Sequence, residues 1–301
     1  MRPAKRAKAD QSPALGGGQA PKAGELVVVA TPIGNLGDLS PRAAARIQEA
    51  DVVCCEDTRH TGMLLARLGL RATRLVSLHS HNERERLAEV LGLLERGAIV
   101  ALVSDAGTPA ISDPGEIVIS AAIEAGHKVT TVPGPSAALS AIVVAGLGTA
   151  RWRFEGFLPR RGPQRTARLG DIAAAPHPSV IYEAPGRVSA TLGDLAQACG
   201  QDRRVAVCRE LTKRFEETWH GTLLEAREHT ASAEPRGEHV LVVAGAPPSA
   251  VCLPVAEEVT AAVAAKMSAG LSRRQAAIEV AADFGVSKRF AYETSLARSD
   301  Q

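Results

Sequence analysis

Residues 101–115 read ALVSDAGTPAISDPG. The apolar run Ile99–Val103 has no polar alternation, as expected for a strand buried on both faces of a sheet. It delivers the chain into a turn dense in glycine, proline and carboxylates. In open α/β sheets ligands bind beyond the carboxyl ends of strands, and this loop has the composition for it. Gly107 and Gly115 let a ligand approach the backbone, and Pro109 and Pro114 stiffen the loop so that less entropy is lost on binding. Asp105 and Asp113 add negative charge suited to a cation. Asp113 has a second reading, as the cap of a following helix whose first turn holds Pro114.

Outward from this loop, short β-rich runs alternate with helical patterns. Strands are predicted at 26–30, 52–55, 75–78, 99–103, 129–132, 180–182, 205–208 and 240–244, and helices at 42–49, 84–95, 117–125, 137–145 and 188–199. Ser40 and Pro41 mark the start of the first helix. The alternation predicts an α/β protein with mainly parallel sheets. Five post-strand loops gather the unusual residues: TPIGNLGDLS (31–40), EDTRHTG (56–62), SDAGTPAISDPG (104–115), PGPSAA (133–138) and YEAP (182–185). A boundary is expected near 147–153 and a second at Ala246-Pro247-Pro248-Ser249. The resulting division is a disordered basic tail (1–24), two α/β domains (25–146 and 147–246) and a helical extension (247–301).

At 301 residues the chain has room for two domains. Apolar residues make up 45% and charged residues 23%, a globular balance, while only 3% are aromatic, so Val, Leu, Ile and Ala must build the cores. The cysteines (Cys54, Cys55, Cys199, Cys208, Cys252) form no CxxC pair, which points to a reducing cytoplasm. No run approaches the ~18 apolar residues of a membrane helix, so no membrane partner is expected. The N-terminal 24 residues, with Arg2, Lys5, Arg6 and Lys8, carry too little apolar mass to fold. Net charge is only +2, but basic residues bunch at Arg160, Arg161, Arg165 and Arg168, at Arg203 and Arg204, and at Arg273, Arg274, Lys288 and Arg289. Such clusters can make a phosphate-binding face, although solvated surface is the ordinary reading of each.

Several chemistries are argued against. Gly34-Asn35-Leu36-Gly37 is not the GxGxxG of dinucleotide folds, and no GxxxxGK[ST] or GxSxG occurs. His79-Ser80-His81, with His60, Glu56 and Asp57 in a neighbouring loop, could hold zinc. Arg59 and Arg84 would set positive charge beside the metal, so none is expected.

The motifs TPIGNLGDLSPRA, EDTRHTGMLL, LHSHNE, LVSDAGTPAISDPG, VPGPSA, EGFLP and RELTKRFEE, in that order, resemble the ribosomal RNA small-subunit methyltransferase I family of the tetrapyrrole-methylase-like (class III) methyltransferases. The resemblance covers roughly residues 25–245. LSRRQAAIEVAADFGVSKRFAYE further resembles the family's C-terminal extension, reading as helix, turn at Phe284-Gly285-Val286-Ser287, helix. The resemblance implies two α/β domains with S-adenosylmethionine in the cleft between them, usually in a homodimer. It implies 2′-O-methylation of a cytidine in the decoding region of 16S ribosomal RNA. Carried over by motif, cofactor contacts fall on Pro32, Gly34, Asn35, Asp105, Gly107, Thr108, Pro109, Ile111, Ser136, Ala137, Tyr182 and Leu211.

A ribose hydroxyl is a weak acid, so a base or cation should assist its deprotonation. Glu56, Asp57 and Lys213 are the candidates, Lys213 as a base if its pKa is depressed; the carboxylates have a rival reading as ion-pair partners of Arg59 or Arg84. Arg59, His60, Arg160, Arg161, Arg165, Arg273, Arg274, Lys288 and Arg289 would meet RNA phosphates. The alternatives are a methylase of a corrin or sirohaem precursor, a non-catalytic nucleic-acid-binding relative, and a metal hydrolase built on His79 and His81.

Overall fold

A computed structural model describes residues 24–231, 236–247 and 256–296. The basic stretch holding Arg2, Lys5, Arg6 and Lys8, the Pro248-Ser249 half of the second expected break, and Cys252 lie outside the described residues.

The first part of the chain alternates β1 (Glu25–Val29), α1 (Pro41–Glu49), β2 (Val52–Cys55), α2 (Thr58–Arg67), β3 (Leu75–Ser77), α3 (Glu83–Glu95), β4 (Ile99–Leu102), α4 (Glu116–Glu124) and β5 (Lys128–Val132). Its five strands lie in the order β3-β2-β4-β1-β5, all parallel. Central strands are apolar throughout because both faces are covered. Leu26 and Val28 of β1 join Val90, Leu94, Val118 and Ala122 of α3 and α4, while Val27 and Val29 join Ala43, Ile47 and Leu65 of α1 and α2. The neighbours β1 and β4 therefore send their following helices to opposite faces. Their loops diverge at that point, which makes the crevice between them the topological switch point of the sheet.

The second part runs α5 (Ala137–Ala145), β6 (Arg153–Phe157), α6 (Pro163–Ala174), β7 (Ser179–Glu183), α7 (Val188–Cys199), β8 (Arg204–Arg209), β9 (Glu217–Thr222), α8 (Leu223–Ala231) and β10 (His239–Val243). Its sheet has the order β6-β7-β10-β8-β9. Only β6 and β7 pair in parallel; the other three pairs are antiparallel. This corrects the expectation of mainly parallel sheets. The short segment joining β8 to β9 permits a reversal but not the helical crossover a parallel pair requires. Helices α6, α7 and α8 cover one face through Ile172, Leu192, Leu195, Leu223 and Ala226.

The other face is covered by α5, which follows directly from the first sheet. Its Ala138, Ala141, Ile142 and Ala145 pack on Val180, Ala206, Cys208, Val240 and Val242. Ile142, only 2% exposed, contributes roughly 2 kcal/mol by burial. At this helix the chain passes from the first sheet onto the second.

Beyond residue 255, α9 (Ala256–Ser268), α10 (Arg273–Phe284) and α11 (Lys288–Leu296) pack around Val259, Val263, Ala277, Val280 and Ala291. A Ser272–Gln275 capping box opens α10, and Gly285 ends it in the left-handed conformation, φ 66°. Helices α10 and α11 are joined by the short turn at Gly285.

Candidate functional site

The loops at the switch point are bonded into one platform. Thr31 N–H donates to Gly107 O (2.8 Å), and Gly107 N–H donates back to Thr31 O (3.1 Å). The Thr31 hydroxyl donates to Ser104 O (3.0 Å), and the Thr108 hydroxyl reaches Pro135 O (3.2 Å), adding the loop after β5. Within the platform Ala110 and Ser112 hold φ of 67° and 66°. Such left-handed geometry costs a residue with a side chain about 1 kcal/mol or more. On the opposite rim Glu210 and Thr212 do the same, at 51° and 68°. Strain on both sides of one cleft marks loops shaped for something other than stability.

The platform is fixed from an unexpected direction. Glu83, at the start of α3 and 5% exposed, accepts from the backbone N–H groups of Gly115 (3.1 Å), Ile117 (2.9 Å) and Val118 (3.2 Å). It thereby caps α4 across more than thirty residues of chain, whereas the N-cap residue Gly115 has no side chain to offer. The capping reading of Asp113 is thus corrected, which leaves that carboxylate free to face the cleft.

Between the two sheets lies a cavity of about 400 Å³. Of the motif-derived cofactor residues, Gly107, Thr108, Ile111, Ser136, Ala137 and Tyr182 line it. Tyr182 ties β7 to the start of α5, its hydroxyl oxygen accepting from Ala138 N–H (3.1 Å). Pro32, Gly34, Asn35, Asp105, Pro109 and Leu211 lie outside the lining. Pro32 and Pro109 are buried behind it, Leu211 packs in the α5 core, and Asn35 caps a short turn through Gly37 N–H (3.0 Å). Gly34 stands against the Lys213 side chain, with no room for a Cβ. Sequence reasoning did not single out Ser112, Phe157, Glu183 and Glu238, which the structure places around the cavity; Asp113, read either as charge for a cation or as a helix cap, lines it as well.

The electrostatics sort the candidate catalytic groups. Burial, then the charge of Glu56, push Asp113 up to about 6 against an opposing hydrogen bond from Ser104, with Asp105 adding a smaller push in the same direction. Asp57 caps α2, its Oδ1 accepting from Arg59 N–H (2.8 Å) and His60 N–H (3.3 Å). Those bonds hold its carboxyl below the usual range, which makes it a poor proton acceptor. Asp105 pairs with His60 Nδ1 at 3.3 Å. Burial lowers the Lys213 pKa, but hydrogen bonds to Glu210 (2.9 Å) and Glu238 (3.1 Å) outweigh it and hold the ammonium above its ordinary value. The expectation of a depressed, basic Lys213 is therefore corrected: it is a fixed positive charge.

Of the expected RNA contacts, Arg59, His60, Arg160 and Arg161 are exposed. Arg289 is held by Glu293 (2.7 Å). Arg165 is not available to a phosphate. It is 8% exposed and donates to Asp194 Oδ2 (2.8 Å), Pro159 O (2.8 Å) and the Thr191 hydroxyl (3.0 Å), which in turn donates to Glu183 Oε2 (2.6 Å). Arg165→Ala is expected to lower stability by about 2 kcal/mol in urea denaturation, because it takes the donor from the buried Thr191 hydroxyl and from the part-buried Pro159 carbonyl and Asp194 carboxylate. RNA affinity of the folded variant should stay at the wild-type value; a loss of affinity without a loss of stability would restore the surface role. Among the described residues no group of three or more His, Cys, Asp or Glu is arranged to hold a metal. None of the described helices is long and apolar enough to cross a membrane.

Two α/β layers joined at a switch-point cavity define a class III methyltransferase fold, and residues 25–227 match the family model for tetrapyrrole (corrin/porphyrin) methylases. The solved structure of uroporphyrin-III C-methyltransferase from Thermus thermophilus, complexed with S-adenosyl homocysteine, shares this fold with a TM-score of 0.53 at 19% identity, covering 73% of this chain and 96% of that one. Within the class, the chain belongs to the ribosomal RNA small subunit methyltransferase I family. A Synechocystis member is 42% identical over 273 residues, 91% of this chain and 98% of its own. A Xylella fastidiosa member is 48% identical over 225 residues, 74% of this chain and 82% of its own.

Proposed function

We propose that this chain uses S-adenosylmethionine to methylate the ribose 2′-hydroxyl of a cytidine in the decoding region of 16S ribosomal RNA, acting in the cytoplasm on the small subunit. The observation that carries the reading is the strained cavity at the switch point, with Asp113 on its wall, in a chain whose relatives bear the names of ribosomal RNA methyltransferases.

S-adenosylmethionine supplies a methyl group on a sulfonium that is already a strong leaving group, so positioning is the larger part of the protein's task. The residues present fit such a ligand. The cavity is of nucleoside size, its walls are Gly107, Thr108, Ile111, Ser136, Ala137 and Tyr182, and Asp113 offers negative charge to a cation. Lys213, fixed as a cation and lying against Gly34 across the cleft, stabilises the oxygen that loses its proton. Glu56, near enough to Asp113 to raise its pKa, is the remaining carboxylate to accept that proton. Asp57 orders α2, so that Arg59 and His60 face outward with Arg160 and Arg161 toward phosphates. The basic residues of α10 and α11, Arg273, Arg274, Lys288 and Arg289, add a second phosphate contact. Leu139 and Val143, 55% and 67% exposed on the outer face of α5, support self-association as a homodimer.

The test is transfer of labelled methyl to small ribosomal subunits that lack this modification, with the nucleoside identified by mass spectrometry. 2′-O-methylcytidine is expected. Cofactor binding with no label in RNA would overturn the reading in favour of a small-molecule methylase.

A further inference from the structure

The rim of the cavity carries a feature that methyl transfer alone does not require. In β6, Phe154 pairs with Val180, Gly156 with Ile181 and Phe157 with Tyr182, leaving Glu155 as an extra residue. Side chains alternate along a strand, so two residues three apart should face opposite sides. The bulge cancels that alternation and turns Phe157 onto the same face as Phe154 and Tyr182, the face toward the cleft. The bulge is held in place. Glu155, 7% exposed, takes Arg168 Nε on Oε2 (2.8 Å) and lies 3.2 Å from Arg153 through Oε1. Gly156 has φ 59°, and a Cβ added there would stand 3.1 Å from Ser112 Oγ, so the bulge abuts the 104–115 loop.

What this construction presents is an aromatic ring with little to cover it. Phe157 lines the cavity yet is 56% exposed, in a chain with only 3% aromatic residues. Its ring meets the Tyr182 ring at 5.6 Å and 66°, and Phe154 supports Tyr182 from 5.0 Å. The chain beyond it is clamped as well: Arg187 donates to Leu158 O (3.1 Å) and Arg165 to Pro159 O (2.8 Å). Exposed Arg160 and Arg161 follow directly. A rigid aromatic face beside a cavity, with guanidinium groups next along the chain, matches the chemistry of an unstacked nucleobase and its phosphate.

We propose that Phe157 is a stacking platform for an unpaired base of the RNA substrate, positioning the strand so that its ribose reaches the cavity. The platform selects single-stranded or extruded nucleotides, because a base inside a duplex has no free face to offer. The inference rests on the RNA-methyltransferase reading above.

The test uses the full chain with Phe157→Ala, Phe157→Leu and Phe157→Trp, on small ribosomal subunits lacking the modification. Wild type is assayed first, and its failure to label RNA would defeat the functional reading and not the platform in particular. Given wild-type activity, Phe157→Ala and Phe157→Leu should raise KM for the subunit by about five- to a hundredfold, the range for one base–aromatic stack. Phe157→Trp should keep it near wild type, and S-adenosylmethionine affinity by calorimetry should stay within about twofold in all three. Phe157→Leu retains apolar contact with Tyr182, so it reports on stacking even if the alanine variant folds poorly. Unchanged KM overturns the proposal. So does weakened cofactor affinity, which would assign the ring to the cofactor's adenine, and so does loss of a dimer in sedimentation, which would assign it to a subunit interface.

Discussion

Glu83→Ala is expected to lose about 3 kcal/mol of stability and to weaken cofactor affinity at least tenfold, although Glu83 is absent from the cavity lining. One carboxylate oxygen satisfies three N–H groups at the start of α4, the positive end of that helix. Hydrogen bonds to a charged acceptor are worth roughly 1.5–3 kcal/mol, and buried donors left without a partner are costly in their own right. The functional consequence follows from position. The loop between Gly107 and Gly115 is held at one end by the Thr31 bridge and at the other by Glu83. Releasing the second end lets Ala110 and Ser112 relax out of their left-handed conformations, and the cavity wall relaxes with them. Glu83→Gln keeps a neutral acceptor and should recover more than half of both effects. Chemical denaturation and calorimetry would check this; an alanine variant within about 0.5 kcal/mol of wild type would show that the cap is dispensable.

Glu83 also shows what the sequence could and could not convey. Its neighbours are legible: apolar runs disclose the parallel strands, and the Gly-Pro-carboxylate loop after β4 discloses a ligand loop. The partner of Glu83 is not, because a bond between residues 83 and 115 depends on the tertiary path from α3 to α4. Strands β6 and β9 escaped for a related reason. Arg153 and Glu155 in β6, and Glu217 and His220 in β9, interrupt the apolar signal because these are the two edge strands of the sheet. Helix α2 reads as loop in the sequence because its first turn, Thr58-Arg59-His60, is polar, with its order supplied by the Asp57 cap. Arg165 reads as surface because a basic cluster in sequence does not reveal that one of its members turns inward to Asp194. Motif spacing located the loops around the cavity, but not the aromatic rim, whose orientation depends on a single bulged residue.

Asp113→Asn is expected to stabilise the ligand-free protein while weakening its binding of a cation, opposite signs from one charge. Burial and the neighbouring charges of Glu56 and Asp105 raise the Asp113 pKa from 3.8 to about 6 in the folded chain. An acid with a raised folded pKa binds its proton more tightly folded than unfolded. Ionisation therefore erodes stability as pH climbs from about 4 to about 6, and the loss is complete and constant above that. The unscreened limit is roughly 3 kcal/mol at 1.36 kcal/mol per pH unit. Water reaching this partly open site reduces it to about 1 kcal/mol, which is the gain expected for the asparagine variant at pH 8 and absent at pH 4. Binding runs the other way. A fixed sulfonium prefers the ionised carboxylate, so wild-type affinity for S-adenosylmethionine should climb about tenfold in all as pH rises to about 6 and level off above it. In Asp113→Asn that slope should vanish, with affinity at pH 8 about tenfold lower. The demethylated product, whose sulfur is neutral, separates the two charges such a ligand can present. If Asp113 faces the sulfonium, only the methylated cofactor shows the slope, whereas equal slopes for both would assign the carboxylate to the amino group. A slope that survives in the asparagine variant would remove Asp113 from the binding site altogether. The stability it withholds from the empty cleft would then have no return in ligand affinity, and the 104–115 loop would need another reason for carrying a second carboxylate.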